Sequence, residues 1–211
     1  WHVEITKDDG SKQTLSTKSI VIATGARPFV PPLPGLDAVG YRTSDTLWEL
    51  REQPKRLVVL GGGPIGCELA QSFARLGSQV TQIEMLPRIM IREDEEVSAF
   101  SRKALEHDGV TVLTGHKALR CELRDGVKSI VVESAGRERA IEFDVLLCAV
   151  GRSARLKGFG LEELGIPAQR TVQTNEYLET VYPNILAAGD VAGPFQFTYT
   201  AAHQAWYASV N

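Results

Sequence analysis

Within ten residues, Leu57-Val58-Val59-Leu60-Gly61-Gly62-Gly63-Pro64-Ile65-Gly66 passes from wholly apolar to glycine-rich to helical. The apolar run Leu57–Leu60 reads as a short parallel strand covered on both faces. From Pro64 onward, Ile65, Leu69, Phe73 and Leu76 fall on one helical stripe, and Gly77 sits where a helix C-cap glycine belongs. Gln79–Glu84 reads as the next strand. A strand, a glycine turn, a helix and a second strand predict one unit of a doubly wound α/β sheet. The spacing Gly61-x-Gly63-x-x-Gly66 fits a dinucleotide phosphate turn, with Ala70 four residues further on. Gly61 permits the tight turn, Gly63 lets the backbone approach a diphosphate, and Gly66 lets helix and strand pack closely. Pro64 takes a first-turn position where a missing N–H costs little, and the free N–H groups there, Ile65 included, face anions. Glu84 ends the second strand roughly 20 residues on, where a carboxylate accepts from a ribose hydroxyl.

The rest of the chain follows the same pattern. A helix is predicted from about Asp94 to His107, with Val97, Phe100 and Ala104 inward. Its acidic start, Glu93-Asp94-Glu95-Glu96, matches the positive end of a helix dipole, and no metal site is expected there. Val110–Leu113 reads as a strand, 118–143 as an antiparallel meander, and Asp144–Val150 as a further buried strand. Ser44–Leu50 reads as a short helix capped by Ser44 or Asp45. Pro31, Pro32 and Pro34 predict an extended crossing. Three segments share one form, an apolar strand stopping at glycine: Val21–Gly25, which includes Thr24, Leu147–Gly151, and Leu186–Gly189. A glycine there lets a ligand come close to the carboxyl edge of a sheet.

Composition narrows the class. A net charge of −3 gives no basic excess for nucleic acid, and no apolar run approaches the roughly 20 residues that span a bilayer. Cys67, Cys121 and Cys148 form no CxxC or CxxxxC pair. They read as buried free thiols suited to a reducing cytoplasm. The chain opens at Trp1 inside a strand-like segment and stops at Asn211 after a helix-like one, so it is expected to be a piece of a longer protein.

On these residues the chain resembles the FAD-dependent pyridine nucleotide–disulfide oxidoreductases. The likeness lies in Ile22-Ala23-Thr24-Gly25-Ala26-Arg27-Pro28, in the Gly61 unit through Glu68, in Val150-Gly151-Arg152 and in Ile185-Leu186-Ala187-Ala188-Gly189-Asp190. Glu68–Ser78 and Ile91–Asp94 look most like the mercuric reductase branch. The resemblance implies a nucleotide domain at 47–152, inserted into an FAD-binding domain formed by 1–46 and 153–211. It implies hydride transfer from NADH or NADPH to FAD and on to a disulfide or similar acceptor. Asp190 would accept from the flavin ribityl chain, and the helix after Phe197 would aim its N-terminus at the flavin ring edge. Glu68 matches a glutamate that pairs with a lysine near flavin N5, a lysine that lies upstream of this chain. A homodimer formed through a further C-terminal domain is implied as well.

Some positions depart from the family. Pro64 stands where some relatives carry an aromatic gate, and Ala154 and Arg155 replace a usual proline and asparagine. Mercuric reductases commonly lack an acid at the Glu84 position, so Glu84 argues for NADH, with Arg88 and Arg92 as rival contacts for a 2′-phosphate. His203 reads as a helix residue, not a catalytic base. The chain holds no second GxGxxG and no paired cysteines, so it is expected to bind NADH without turning over a disulfide. The alternatives are an NADH oxidase or ferredoxin reductase type of flavoprotein, or a nucleotide-binding module without catalysis.

Overall fold

The computed structural model describes residues 1–210, which divide into two compact units: Trp1–Arg27 with the chain from Arg152 onward, and Pro28–Gly151. The first unit opens with a hairpin of β1 (His2–Thr6) and β2 (Lys12–Ser16), antiparallel with His2 opposite Ser16. Gly10, at φ 79°, turns the hairpin and donates its N–H to Lys7 O at 2.9 Å. The short strands β3 (Ile20–Ile22) and β4 (Ala26–Pro28) follow.

The second unit has three layers. It begins with a four-residue helix α1 (Leu36–Val39), a strand β5 (Arg42–Thr43) and a 3-10 turn at Leu47–Glu49. Next come β6 (Arg56–Leu60), α2 (Pro64–Arg75), β7 (Gln79–Glu84), α3 (Glu95–His107) and β8 (Thr111–Thr114). An antiparallel meander of β9 (Lys117–Arg124), β10 (Val127–Ser134) and β11 (Arg137–Phe143) precedes β12 (Val145–Cys148). The parallel sheet has the order β5-β12-β6-β7-β8. Alternate strand residues point to opposite faces. Val58, Leu60, Ile83, Leu146 and Cys148 therefore join the core under α1 and the meander, while Leu57, Val59, Val80, Val112 and Leu147 join the core under α2 and α3. The expected three-layer α/β class is the one found.

Both long helices end as glycine predicts. After α2, Gly77 at φ 100° donates to Ala74 O and Ser78 N–H donates to Phe73 O. After α3, Gly109 and Val110 make the same pair of bonds to Glu106 O and Leu105 O. These close the last carbonyls of each helix.

The second unit starts at Pro28, where the proline crossing docks onto the meander, and two expectations about its elements are corrected. Cys121 N–H donates to Pro34 O at 2.7 Å, Leu36 and Val39 are buried in the core, and a Cβ on Gly35 would collide with the Cys121 carbonyl. Ser44–Leu50 shortens to the single turn Leu47–Glu49, whose N-cap position is held by Thr46, with Oγ1 accepting from Thr43 N–H at 3.0 Å. In α3 the inward residues are Ser98 and Leu105, while Phe100 is 75% and Val97 45% exposed. Ser98 Oγ donates to Ile89 O at 2.7 Å, which turns that face of the helix inward.

In the returning part of the first unit, β13 (Arg152–Ala154) leads to β14 (Ile185–Ala187), which pairs parallel with β3. Gly189–Val191 forms a 3-10 turn, and α4 (Thr198–Val210) buries only Ala208. Among the described residues no helix is long and apolar enough to cross a membrane.

Candidate cofactor site

The glycine turn joins the end of β6 to α2, and each glycine in it has its own physical reason. Gly61 lies at φ 117°, donates to Ile83 O at 2.8 Å, and would drive a Cβ into the carbonyl of Ala149, just past β12. Gly66 packs so closely on the turn that a Cβ would strike Gly61 O. Gly63 is different: a Cβ there would meet nothing within 4 Å, so its backbone is open to a ligand. Gly63 caps α2 in an extended conformation, with no side chain bonding the helix end. Pro64 has no N–H, and Cys67 N–H takes Gly63 O at 3.0 Å, which leaves the Ile65 and Gly66 N–H groups without intrahelical acceptors. Unpaired N–H groups on the positive end of a helix, beside an open glycine, fit a diphosphate.

Glu84, at the end of β7, is bonded to this turn. Its Oε2 accepts from Gly62 N–H at 2.6 Å and its Oε1 from Leu86 N–H at 2.8 Å. The loop after β7 returns to the same glycine, with Met90 N–H donating to Gly62 O at 2.7 Å and Ile89 buried beneath it. Arg88 is used within that loop, donating to Glu93 O at 2.8 Å, while Arg92 is exposed.

Gln82, fully buried in β7, is a residue the sequence reading missed. Its Nε2 donates to Gly61 O at 3.0 Å, and its Oε1 has no partner among the described residues. A lone amide in a buried strand was the available signal. Gly62 was missed as well, because it lies outside the GxGxxG spacing.

Glu68 lies exposed one turn into α2. With Pro64, Cys67, Gln71 and Phe100 it lines a cleft of about 320 Å³ between α2 and α3. Its carboxylate has no ion-pair partner among the described residues. The three cysteines are free and buried, as expected. Burial pushes the Cys121 thiol up to about 11 and that of Cys148 up to about 12, and raises that of Cys67 as well, so all three stay protonated and poorly nucleophilic near neutral pH.

In the other unit, β3 and β14 lie side by side, which places Thr24 and Gly25 next to Gly189 and Asp190 at the strand ends. Ala188 N–H donates to Ile22 O at 3.0 Å. Asp190 is held by Arg152, whose Nε lies 3.2 Å from Oδ2 and whose Nη2 donates to Ala26 O at 2.9 Å. The Gln204 amide clasps the turn, accepting from Gly189 N–H at 2.8 Å and donating to Gly193 O at 2.9 Å. Arg155 bonds through its backbone, its N–H donating to Gly25 O at 2.9 Å and its carbonyl accepting from Thr24 Oγ1 at 3.0 Å. His203 packs edge-on to Tyr207 within α4, at 4.8 Å between ring centroids. Gly151, at φ 130°, belongs to the Pro28–Gly151 unit, where its carbonyl accepts from Phe29 N–H at 2.9 Å.

A parallel α/β sheet with an open glycine turn at a helix N-terminus and an acid closing the next strand is the architecture of the doubly wound class. The family described as pyridine nucleotide–disulphide oxidoreductase matches residues 2–205, and the chain belongs to it. It is 40% identical over 194 residues to a mercuric reductase of Staphylococcus aureus, covering 91% of this chain and 36% of that protein. It is 39% identical over 206 residues to a dihydrolipoyl dehydrogenase of Thermus scotoductus, covering 94% of this chain and 44% of that one. The chain thus spans less than half the length of these two relatives, and the near-equal identities favour neither branch. Among solved structures, a Cu(II) complex of a mutant of the HOCl-induced flavoprotein disulfide reductase RclA from Escherichia coli superposes with a TM-score of 0.88 at 30% identity. That match covers 99% of this chain and 47% of the other.

Proposed function

We propose that residues 28–151 hold a nicotinamide dinucleotide and that 1–27 with the chain from Arg152 onward hold part of an FAD site. The whole enzyme then passes hydride from NADH to FAD and electrons on to a disulfide or similar acceptor. The observation that carries this reading is the open Gly63 backbone beside the unpaired Ile65 and Gly66 N–H groups, within one bonded turn of Glu84. FAD, when bound, supplies the two-electron carrier between nicotinamide and acceptor.

Each residue then has a limited task. Gly61 and Gly66 bring strand and helix together, and Gly63, Pro64 and Ile65 present the helix end to the diphosphate. Glu84 accepts from the adenosine ribose and repels a 2′-phosphate, which favours NADH over NADPH. Glu68, exposed beside Pro64, is placed to support a cationic partner near the reacting rings. Gly151, Thr24, Gly25 and Gly189 leave strand ends open to a cofactor, and Asp190, oriented by Arg152, accepts from the flavin ribityl hydroxyls. A homodimer completed by a further domain, and a cytoplasmic location suited to three protonated thiols, belong to the same reading.

Titrating the chain by calorimetry with NADH and with NADPH tests the assignment. A hydrogen bond to a charged group is worth about 1.5–3 kcal/mol, so NADH binds about tenfold or more tighter. Equal or tighter NADPH binding places the decision on Arg92 or Arg88 instead.

A further inference from the structure

We infer that Gln82 is a positioning residue of the dinucleotide site: its buried amide holds the Gly61 carbonyl inward from beneath the turn, and so sets which backbone N–H groups face the ligand. The inference rests on the dinucleotide reading above and concerns the turn that both cofactors would share. Gln82 is fully buried in β7, on the same face as Val80, and β7 lies between β6 and β8. A primary amide at such a place weakens the core unless its polar atoms are bonded. The described residues use only its nitrogen end. Nε2 donates to Gly61 O at 3.0 Å and lies 3.5 Å from Cys67 Sγ, whereas Oε1 meets no donor among them. The orientation of the amide follows, because a carbonyl oxygen can take only a donor. The first turn of α2 rests on the same nitrogen: a Cβ on Gly66 would lie 3.3 Å from Nε2.

Cys67 extends this support to the next peptide. Its Sγ donates to Gly62 O at 3.5 Å, and burial keeps the thiol protonated near neutral pH, so it donates to Gly62 while its sulfur accepts from Gln82. Met90 N–H donates to the same carbonyl at 2.7 Å. A trans peptide carries its C=O and N–H on opposite sides. With the Gly61 carbonyl turned in to Gln82, the Gly62 N–H is turned the other way, where Glu84 Oε2 accepts it at 2.6 Å. With the Gly62 carbonyl held by Met90 and Cys67, the Gly63 N–H is turned away from both and meets no acceptor among the described residues. That N–H joins those of Ile65 and Gly66 at the helix end. Gln82 thus acts on the diphosphate through the peptide planes and without touching it.

This role differs from discrimination and from plain packing. A discriminating residue changes the ratio of NADH to NADPH affinity. The diphosphate is common to both cofactors, so loss of the Gln82 donor weakens both and leaves their ratio alone. A packing residue is replaced without loss by an apolar side chain of similar length.

The test is calorimetry with NADH and NADPH on the chain carrying Gln82→Met, which keeps the length but has no N–H, or Gln82→Glu, whose carboxyl donates to Gly61 O only when protonated. In Gln82→Met both affinities are expected to fall about three- to tenfold, the worth of one hydrogen bond, and the Gly61 carbonyl carbon resonance to move. In Gln82→Glu, where burial raises the introduced carboxyl's pKa, NADH affinity is expected to rise as the pH is lowered from about 8 to about 6, a dependence the unsubstituted chain lacks. Unchanged NADH affinity in Gln82→Met, a fall for one cofactor alone, or a pH-independent affinity in Gln82→Glu would overturn the positioning role and leave dinucleotide binding intact. An unsubstituted chain that binds neither cofactor would overturn the dinucleotide reading itself, and this inference with it. Should one variant fail to fold, the other decides alone.

Discussion

The glycine turn at Gly61–Gly66 and the turn at Gly189–Val191 both follow a short apolar parallel strand, yet they are held in opposite ways. The first is fixed by backbone bonds and by two side chains of the neighbouring strand, the Glu84 carboxylate and the Gln82 amide, all within residues 61–90. The second, besides its own backbone bonds, depends on longer side chains from other elements, Arg152 of β13 to Asp190 and Gln204 of α4 to Gly189 and Gly193. Their cores differ in the same sense. The parallel sheet is packed by two large apolar clusters, whereas the sheet of β3 and β14 rests on two smaller ones, to one of which α4 contributes its single buried residue, Ala208. A site built from adjacent backbone is rigid before its ligand arrives, and a site hung on side chains takes its final shape from its surroundings.

The strongest way to break this contrast is Gly66→Ala. A Cβ there meets the Gly61 carbonyl, a backbone atom that cannot swing aside. Overpacking of this kind costs about 1–3 kcal/mol, and the shifted helix end loses its alignment with the diphosphate. We expect NADH affinity to fall roughly a hundredfold, the value for two charge-assisted bonds lost. Unchanged calorimetric affinity would show that helix and strand need not approach so closely for binding.

A smaller effect is expected at Glu68, exposed and unpaired on the same helix. In the whole flavoprotein, Glu68→Gln should slow flavin reduction by about tenfold while NADH affinity stays nearly constant, the mark of an interaction made in the transition state. Stopped-flow reduction at the unsubstituted rate would return Glu68 to an ordinary surface acid.

Much of the Gly61–Glu84 unit was legible in the sequence, because its contacts are local. The strand Gln79–Glu84 falls on the residues expected, and Pro64 and Gly77 mark the helix ends by backbone chemistry that a sequence displays directly. What was not legible came from distant contacts. The proline crossing reads as a linker or an extended connection, and only its docking on Cys121 places it in the second unit. Phe100 and Val97 fit an inward stripe by spacing, but Ser98 turns the helix by bonding Ile89, nine residues back. Glu84 is legible as the acid that ends β7, while its bonds to Gly62 and Leu86 depend on side-chain geometry that spacing does not carry. Gly25 and Gly189 are legible as glycines just past strand ends, but Gln204, which bonds Gly189 from α4, carries no motif of its own.

The central claim is that the dinucleotide site is preformed at the Gly61 turn. The most direct measurement is an amide NMR titration of the chain with NADH. The account predicts that the Gly63, Ile65 and Gly66 resonances move in a saturable way while those of Gly189 and Asp190 stay in place. Movement confined to the Gly189–Val191 turn, with a silent Gly61 turn at saturating NADH, would contradict it.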